Sequence, residues 1–168
     1  YCDEKLIALE RCVEDINNLD TLPDVVIHTG DLSDNGSNEE LLLAFERLLE
    51  RRPDWHGKVV LMLACVAAAS GMKIYEDTQR TIEETAGRIN GRFSLIDWVP
   101  IRFSTRRIPY EEMVAWFTRS DICWITPLRD GLNLVAKEYA AARKDRGGAL
   151  VLSEFTGASV VLNGAILT

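Results

Sequence analysis

The chain has 168 residues, of which 47% are hydrophobic and 27% charged, the composition of a globular protein with a single core. Its net charge of −7 is uneven, because residues 1–54 carry 14 acidic and 5 basic side chains while residues 55–168 carry 12 and 14. An acidic front half argues against nucleic-acid binding, and no apolar run approaches the roughly 20 residues that cross a membrane. We therefore predict no nucleic-acid partner and no membrane partner.

The first elements along the chain are a helix, a strand and a second helix. Apolar residues spaced three and four apart predict an amphipathic helix over residues 4–18. A short buried strand is predicted over 24–28, followed by the polar loop TGDLSDNGSN. Asn38 is positioned to cap a second helix over 39–51.

The rest of the chain alternates strands with helices. Strands are predicted over 58–65, 98–103, 122–126 and 149–153. Helices are predicted over 72–90, from about Pro109, over 131–143 and, as a short segment, near 157–162, with Gly91 as the stop signal of the first.

This alternation, with strands that are almost continuously apolar, predicts one α/β domain over residues 1–168. The expected architecture is a doubly wound, mostly parallel sheet covered by helices on both faces. Ligands of such sheets bind beyond the carboxyl ends of the strands, here the loops 29–38, 66–72 and 127–133.

The four cysteines indicate a reducing compartment. Cys2, Cys12, Cys65 and Cys123 lack the spacing of a zinc site, and the last two lie inside apolar runs. The start, YCDEKLIALERC, has neither the basic end nor the long apolar region of a signal peptide. We expect a cytoplasmic protein and, because an initiator Met is lacking, a piece of a longer one.

The stretch VVIHTGDLSDNG places Asp31 directly after the first strand. It resembles the second motif of the calcineurin-like metallophosphoesterases, and the resemblance, over about residues 6–38, implies a metal ligand at Asp31. The partner motifs of that family are absent, and the chain has only His28, expected to pack in a strand, and His56, expected to face solvent. A strand-to-helix turn rich in Asp and Asn is the simpler interpretation.

From about residue 42 the motifs change. AFERLLERRPDWHGKVVLM, ETAGRINGRFSLIDWVPI, SDICWITPLRDGLNLVAKEYAAARKD and GALVLSEFTGAS resemble the trehalose-phosphate-synthase type of glycosyltransferase. LACVAAASGMKIYEDTQ is closer to the glucosylglycerol-phosphate synthases, because Ser70 stands where trehalose-phosphate synthases have an arginine. The resemblance implies the second, donor-binding domain of the two-domain GT-B fold, with glycerol 3-phosphate as the acceptor of the parent enzyme.

The resemblance also implies the donor, of the ADP-glucose type, and the residues that bind it, and gives no reason to expect a cofactor. The sugar and diphosphate would contact Asp130, Gly131, Leu132 and Asn133, and backbone groups of Leu134 and Val135 would lie near the phosphates. Glu138 would bind the ribose, and Phe103 is a secondary candidate for a contact with the nucleoside. A glycine lets a backbone approach a diphosphate closely, and free N–H groups at a helix N-terminus attract anions. A helix-face carboxylate without a ligand is the simpler interpretation of Glu138.

The residues for transfer chemistry depart from the family. The arginine and lysine of its pattern Arg-x-Asp-Tyr-x-Lys-Gly fall near Asp31 and Gly36. At about 4 Å, two unit charges interact by about 4 kcal/mol at an effective dielectric of 20, so a carboxylate there would hinder transfer severely. We predict no catalytic residue in this chain, and a join near residues 38–42 between a metallophosphoesterase-like segment, 1–40, and a glycosyltransferase segment, 41–168.

Two alternatives remain open at this point. One is a metallophosphoesterase-like hydrolase that uses Asp31. The other is a non-enzymatic α/β domain that associates as a homodimer through an uncovered sheet edge.

Overall fold

The computed structural model describes residues 25–29, 37–65, 73–127, 130–144 and 147–167. The strands are β1 (Val25–Thr29), β2 (Val60–Ala64), β3 (Ile101–Ser104), β4 (Ile122–Ile125), β5 (Ala149–Leu152) and β6 (Ile166–Leu167). The α-helices are α1 (Ser37–Arg51), α2 (Lys73–Phe93), α3 (Tyr110–Arg119) and α4 (Leu134–Ala142), and short 3-10 helices span Pro53–Trp55 and Gly157–Val160. The helix predicted over 4–18 lies outside the described residues.

The strands form one sheet in the order β3-β2-β1-β4-β5-β6. Every strand pairing among the described residues is parallel, so the predicted doubly wound α/β fold is confirmed. Strand β1 lies in the middle, between β2 and β4. The chain order reverses at β1 and β4, and this switch point is where sheets of this type leave a crevice for a ligand.

The sheet separates two hydrophobic cores. The first packs α1 and α2 on one face through Phe45, Leu49 and Ile82, among others. The second packs α3 and α4 on the other face through Phe117 and Tyr139. Such two-sided cover explains why the strands are apolar at consecutive positions rather than at alternate ones.

Strand β4 contributes to both cores, because successive side chains of a strand point to opposite faces. Ile122 and Trp124 lie in the first core, and Cys123 and Ile125 in the second. All four side chains are buried. Both cysteines of the described residues, Cys65 and Cys123, are buried free thiols, and burial raises the pKa of Cys65 to about 12.

Two predicted helix ends were wrong. Helix α2 continues through Gly91 to Phe93, because Asn90 holds its end against β3 by exchanging two hydrogen bonds of 2.9 Å with the backbone of Ile101. Helix α1 begins at Ser37, so Asn38 lies buried inside its first turn rather than at the cap.

The segment before β3 also differs from its prediction. The strand begins at Ile101 rather than Trp98, because Trp98 belongs to a tight turn and its indole Nε1 donates to the Val59 carbonyl at 3.0 Å. His56 was expected to face solvent, but it is half-buried: its Nε2 lies 2.9 Å from the Leu49 carbonyl and its ring packs beside Phe93 and Trp98. None of the helices in the described part of the chain is long and apolar enough to span a membrane.

An ion-pair cluster joins α1 to α2. The Glu46 carboxylate, whose side chain is 9% exposed, accepts two hydrogen bonds from Arg88, at 2.6 and 2.8 Å, and a third from Arg92 at 3.1 Å. Arg92 also contacts Glu50 at 2.5 Å. The hydrogen bonds from Arg88, followed by the one from Arg92, hold the pKa of Glu46 below its usual value.

We expect Glu46→Ala to lower the free energy of unfolding at pH 7 by about 1–2 kcal/mol, because both arginines are half-exposed and regain water when the carboxylate is removed. A carboxyl group whose pKa is lower in the folded state stabilises that state at pH values above its unfolded-state pKa, here 4.5. This stabilisation is lost as the pH falls through the folded-state pKa. Urea unfolding at several pH values should therefore show the difference from wild type shrinking below about pH 4.5. Glu50→Ala, with one contact and a more exposed carboxylate, is the matched control and should cost less; an equal loss would contradict the assignment.

Candidate functional site

The candidate site lies beyond the carboxyl end of β4, beside the switch point of the sheet. Strand β4 ends at Ile125, and the chain reaches Asp130 before it enters α4. The residues 130–133 between them are called here the β4–α4 turn. Asp31, Gly36 and Ser70 lie outside the described residues.

The Asp130 carboxylate organises the β4–α4 turn. Its Oδ1 accepts hydrogen bonds from the backbone N–H groups of Leu132, at 3.1 Å, and Asn133, at 3.0 Å. Its Oδ2 accepts from the Asn133 side-chain amide at 2.8 Å. Three donors on one carboxylate spread its negative charge and hold the turn in a single shape.

Asn133 closes the turn and starts the helix. Its φ of 43° is the left-handed conformation, which asparagine tolerates better than most residues, and its Oδ1 accepts from the Ala136 N–H at 2.9 Å. Helix α4 therefore begins at Leu134 and not, as predicted, at Gly131. The left-handed residue is the physical reason, because it interrupts the helical path.

Two backbone donors at this helix start lack a partner within their own helix. The N–H groups of Leu134 and Val135 belong to the first turn of α4, where no carbonyl of the same helix lies four residues before them. The side chains of Leu132 and Leu134 are exposed at 52% and 59%. The arrangement is suited to an anion at the helix N-terminus, next to an apolar rim.

Gly131 lies exposed in the turn, and a Cβ built on it would meet nothing within 4 Å. Its φ is not in the left-handed region. Neither packing nor backbone strain in the described residues therefore requires glycine at this position.

A second segment supports the turn from behind. Thr156 pairs with Asp130 in a parallel bridge, and the Gly157 N–H donates to the Asp130 carbonyl at 3.0 Å. Thr156 is buried, and the 3-10 helix that follows it packs against α4. No role was predicted for these residues, although their motif, EFTGAS, belongs to the quoted resemblance.

The other predicted site residues are distributed over two places. Glu138 is half-buried on α4, four residues after Leu134 and so on the same helix face, close to the turn. Val135 packs partly against the second core. Phe103 lies on β3 and packs against the first core, three strand spacings from β4, about 14 Å at the usual spacing. The structure thus brings residues 130–138 together and leaves Phe103 apart from them.

Two neighbouring arginines after β3, a pair that could also face a phosphate, are ordinary surface groups. Arg106, after β3, is exposed and donates to Glu112 of α3 at 2.7 Å, and Arg107 is exposed beside it. The described residues contain no group of three His, Cys, Asp or Glu side chains that could hold a metal ion.

The fold and the site together define a doubly wound α/β domain with the N-terminus of a helix at its switch point. Residues 10–168 match glycosyltransferase family 20, and the chain belongs to that family. It is similar to the glucosylglycerol-phosphate synthase of Pseudomonas anguilliseptica, at 56% identity over 77% of this chain and 17% of that protein. The corresponding synthase of Synechocystis sp. is 47% identical over 86% of this chain and 29% of its own length.

Solved structures support the same assignment. The UDP-forming α,α-trehalose-phosphate synthase of Burkholderia xenovorans superposes with a TM-score of 0.81 at 35% identity, over 96% of this chain and 38% of that one. An E. coli trehalose-6-phosphate structure with bound UDP-2-fluoro glucose gives 0.79 at 33% identity, over 96% of this chain and 35% of that one. The fold is that of the C-terminal domain of GT-B enzymes.

These similarities also bear on the predicted join. The family match begins at residue 10 and therefore includes most of the segment that resembles a metallophosphoesterase. In the structure, β1 from that segment is the central strand of the sheet and pairs on both sides with strands of the glycosyltransferase segment. A fusion of two families is not supported by these findings.

We expect Asn133→Ala to lower the free energy of unfolding by about 2 kcal/mol, since alanine loses the helix cap and pays the strain of a left-handed φ. Asn133→Gly loses the same side-chain hydrogen bonds but adopts that φ freely, so it should cost about 1 kcal/mol less. Chemical denaturation of the two variants measures this difference. Equal losses would show that the left-handed conformation contributes nothing to the turn.

Proposed function

We propose that this domain binds a nucleoside-diphosphate-glucose donor at the β4–α4 turn and the first turns of α4. The observation that carries the proposal is the geometry of the turn: Asp130 and Asn133 hold it in one shape, with the N–H groups of Leu134 and Val135 at its end. Gly131 leaves the backbone open beside them. The diphosphate is the part of the nucleotide sugar that can accept hydrogen bonds from these N–H groups.

The hydrogen bonds of Asp130 explain how a carboxylate tolerates an anionic ligand nearby. A bare carboxylate would repel a diphosphate, but here it already accepts three hydrogen bonds from Leu132 and Asn133. The repulsion is further offset by the positive end of the α4 helix dipole. Asp130 therefore supports binding chiefly by fixing the conformation of the turn. This role differs from the direct ligand contact that the resemblance implies.

Glu138 supplies the acceptor for the ribose. It shares a helix face with Leu134, so a nucleotide whose phosphates lie at the N-terminus of α4 extends its ribose along that face. A carboxylate that accepts hydrogen bonds from two neighbouring hydroxyl groups is a suitable partner for this sugar.

We propose ADP-glucose as the donor, because the chain resembles the glucosylglycerol-phosphate synthases around Ser70 and is similar to two proteins of that name. The structural neighbours include a UDP-forming synthase and one with bound UDP-2-fluoro glucose, so UDP-glucose is the competing donor. Glycerol 3-phosphate is the acceptor we propose for the whole enzyme. The chain spans 17% and 29% of the two curated relatives, so activity of the whole protein is part of the proposal.

The 168 residues by themselves are proposed to bind the donor without transferring its glucose. The reason is the pair Asp31 and Gly36, which stand where the resemblance places an arginine and a lysine. Without these cations, the sequence of that loop, TGDLSDNGSN, has no basic side chain to stabilise the charge that develops on the leaving diphosphate.

A thermal-shift screen with ADP, UDP, GDP and their glucose conjugates tests the proposal. We expect ADP-glucose to stabilise the chain selectively, because a ligand that binds only the folded state raises its stability by mass action. Asp130→Ala and Glu138→Ala should abolish the stabilisation, the first by loosening the turn and the second by removing the ribose acceptor.

Lys137→Ala is the matched control, since Lys137 neighbours Glu138 on α4 and has the same half-buried setting. It should retain the wild-type shift. A screen in which no nucleotide or nucleotide sugar stabilises the wild-type chain would contradict donor binding. Selective stabilisation by UDP-glucose would support the proposed binding site and contradict ADP-glucose as the donor.

The alternative hydrolase depends on Asp31 alone. It requires phosphodiesterase activity with Mn²⁺ that Asp31→Ala abolishes. We expect no such activity, because the other ligand motifs of the metallophosphoesterases are absent from the sequence. Hydrolysis of a model phosphodiester by wild type, sensitive to chelator and lost in Asp31→Ala, would support the alternative instead.

Two further features stay predictions. A homodimer is consistent with the exposed apolar side chains of Phe155, Val160 and Val161, and light scattering at high protein concentration measures the oligomeric state. The cytoplasmic location predicted from the cysteines is likewise untested.

A further inference from the structure

Two glycines on opposite sides of one backbone contact have opposite surroundings. A Cβ on Gly131 would meet none of the described residues within 4 Å, whereas a Cβ on Gly157 would overlap the Gly131 carbonyl oxygen and come within 3.0 Å of its carbonyl carbon. Only the absence of a side chain at Gly157 allows the two segments to lie this close. The φ of Gly157 is not in the left-handed region, so close approach, and not backbone conformation, is what requires glycine.

This contact is made by backbone groups. The Gly157 N–H donates to the Asp130 carbonyl, and Thr156 pairs with Asp130 in a parallel bridge. The Thr156 side chain is buried, and its hydroxyl has no hydrogen-bond partner among the described residues, so it makes no hydrogen bond to the turn. The position of the β4–α4 turn against its support is therefore set by how closely the backbone of Gly157 can approach.

The supporting segment is itself firmly placed. The Ser153 N–H continues the pairing of β5 by donating to the Ile125 carbonyl at 2.9 Å, and the Thr156 N–H donates back to the Ser153 carbonyl at 3.1 Å. Ala158, directly after Gly157, is fully buried in the second core. A side chain at position 157 could not be accommodated by moving this segment outward without disturbing that core, so the exposed turn would move instead.

We propose that Gly157 is a positioning residue for the donor: it sets the backbone of Gly131, Leu132 and Asn133, and through it the N–H groups that receive the diphosphate. The inference rests on the proposed function, because the turn is a donor site only if a nucleotide binds there. It assigns no contact between Gly157 and the ligand.

The test compares Gly157→Ala with Gly164→Ala, a control in the same C-terminal segment where a Cβ meets nothing within 4 Å. In ¹H–¹⁵N spectra of the chain, the cross-peaks of Gly131, Leu132 and Asn133 should shift in Gly157→Ala and stay in place in Gly164→Ala. Titrations of wild type and both variants with ADP and AMP, and with UDP and UMP, measure the affinities for the diphosphate and for the monophosphate.

For the nucleotide pair that wild type binds, Gly157→Ala should lower the affinity for the diphosphate about tenfold and leave the affinity for the monophosphate unchanged. A tenfold change corresponds to the loss of roughly one hydrogen bond to a charged group. A general loss of stability would weaken both ligands alike, so the ratio of the two affinities isolates positioning. Unmoved cross-peaks in Gly157→Ala, or an unchanged diphosphate affinity, would overturn the inference.

Failure of the proposed function gives a different result. In that case wild type binds none of the nucleotides, while the cross-peak comparison still decides whether Gly157 sets the turn. If Gly157→Ala does not fold, hydrogen exchange on the wild-type chain replaces it. Binding of the diphosphate should then slow exchange of the Gly157 N–H and leave that of Ala165, which donates to Leu162, unaffected; an unaffected Gly157 N–H would refute the inference.

Discussion

The burial of strand β4 on both of its faces is the constraint on which the rest of the domain depends. Trp124 fills the core beneath α1 and α2, and Cys123 and Ile125 fill the core beneath α3 and α4. A shift of one residue would exchange large and small side chains in both cores at once, which close packing does not tolerate. The level at which β4 ends, and so the level of the β4–α4 turn, is fixed by packing on two sides.

From that fixed point the site is built with backbone groups and short side chains. The Asp130 carboxylate holds the turn, Asn133 turns the chain into α4, and the Thr156–Gly157 segment supports the turn from behind. Two glycines have different surroundings in this site: Gly131 is proposed to leave space for a ligand, and Gly157 leaves space for the backbone of Gly131. The division separates groups that the proposed ligand contacts from groups that hold those contacts in place.

Membership of glycosyltransferase family 20 gives this arrangement its context. The part of the family fold seen here is the domain that we propose to bind the donor, and the proposed chemistry needs a second set of groups for the acceptor and for the leaving diphosphate. In the proposed function Asp130, Asn133 and Glu138 bind the donor without these groups, because binding a diphosphate in the ground state and stabilising the charge of its departure require interactions with different atoms.

The sequence by itself determined the order of the first five strands and of the helices between them, since period and apolar runs record which faces are buried. It drew attention to the turn because the motif around Asp130 is local, but it missed the two-residue strand β6. Glu138 came from the family resemblance, and its contact with the ribose stays a proposal; the structure adds that residues 134 and 138 share a helix face. The sequence misplaced the start of α4 and the end of α2, where Asn133 adopts a left-handed φ and Asn90 pairs with Ile101. Only the tertiary structure decided these, along with the half-buried setting of His56 and the contact of Gly157 with Gly131. Each depends on a backbone group or side chain whose distance and direction no local pattern encodes; for the two glycines, 26 residues of sequence separate the partners.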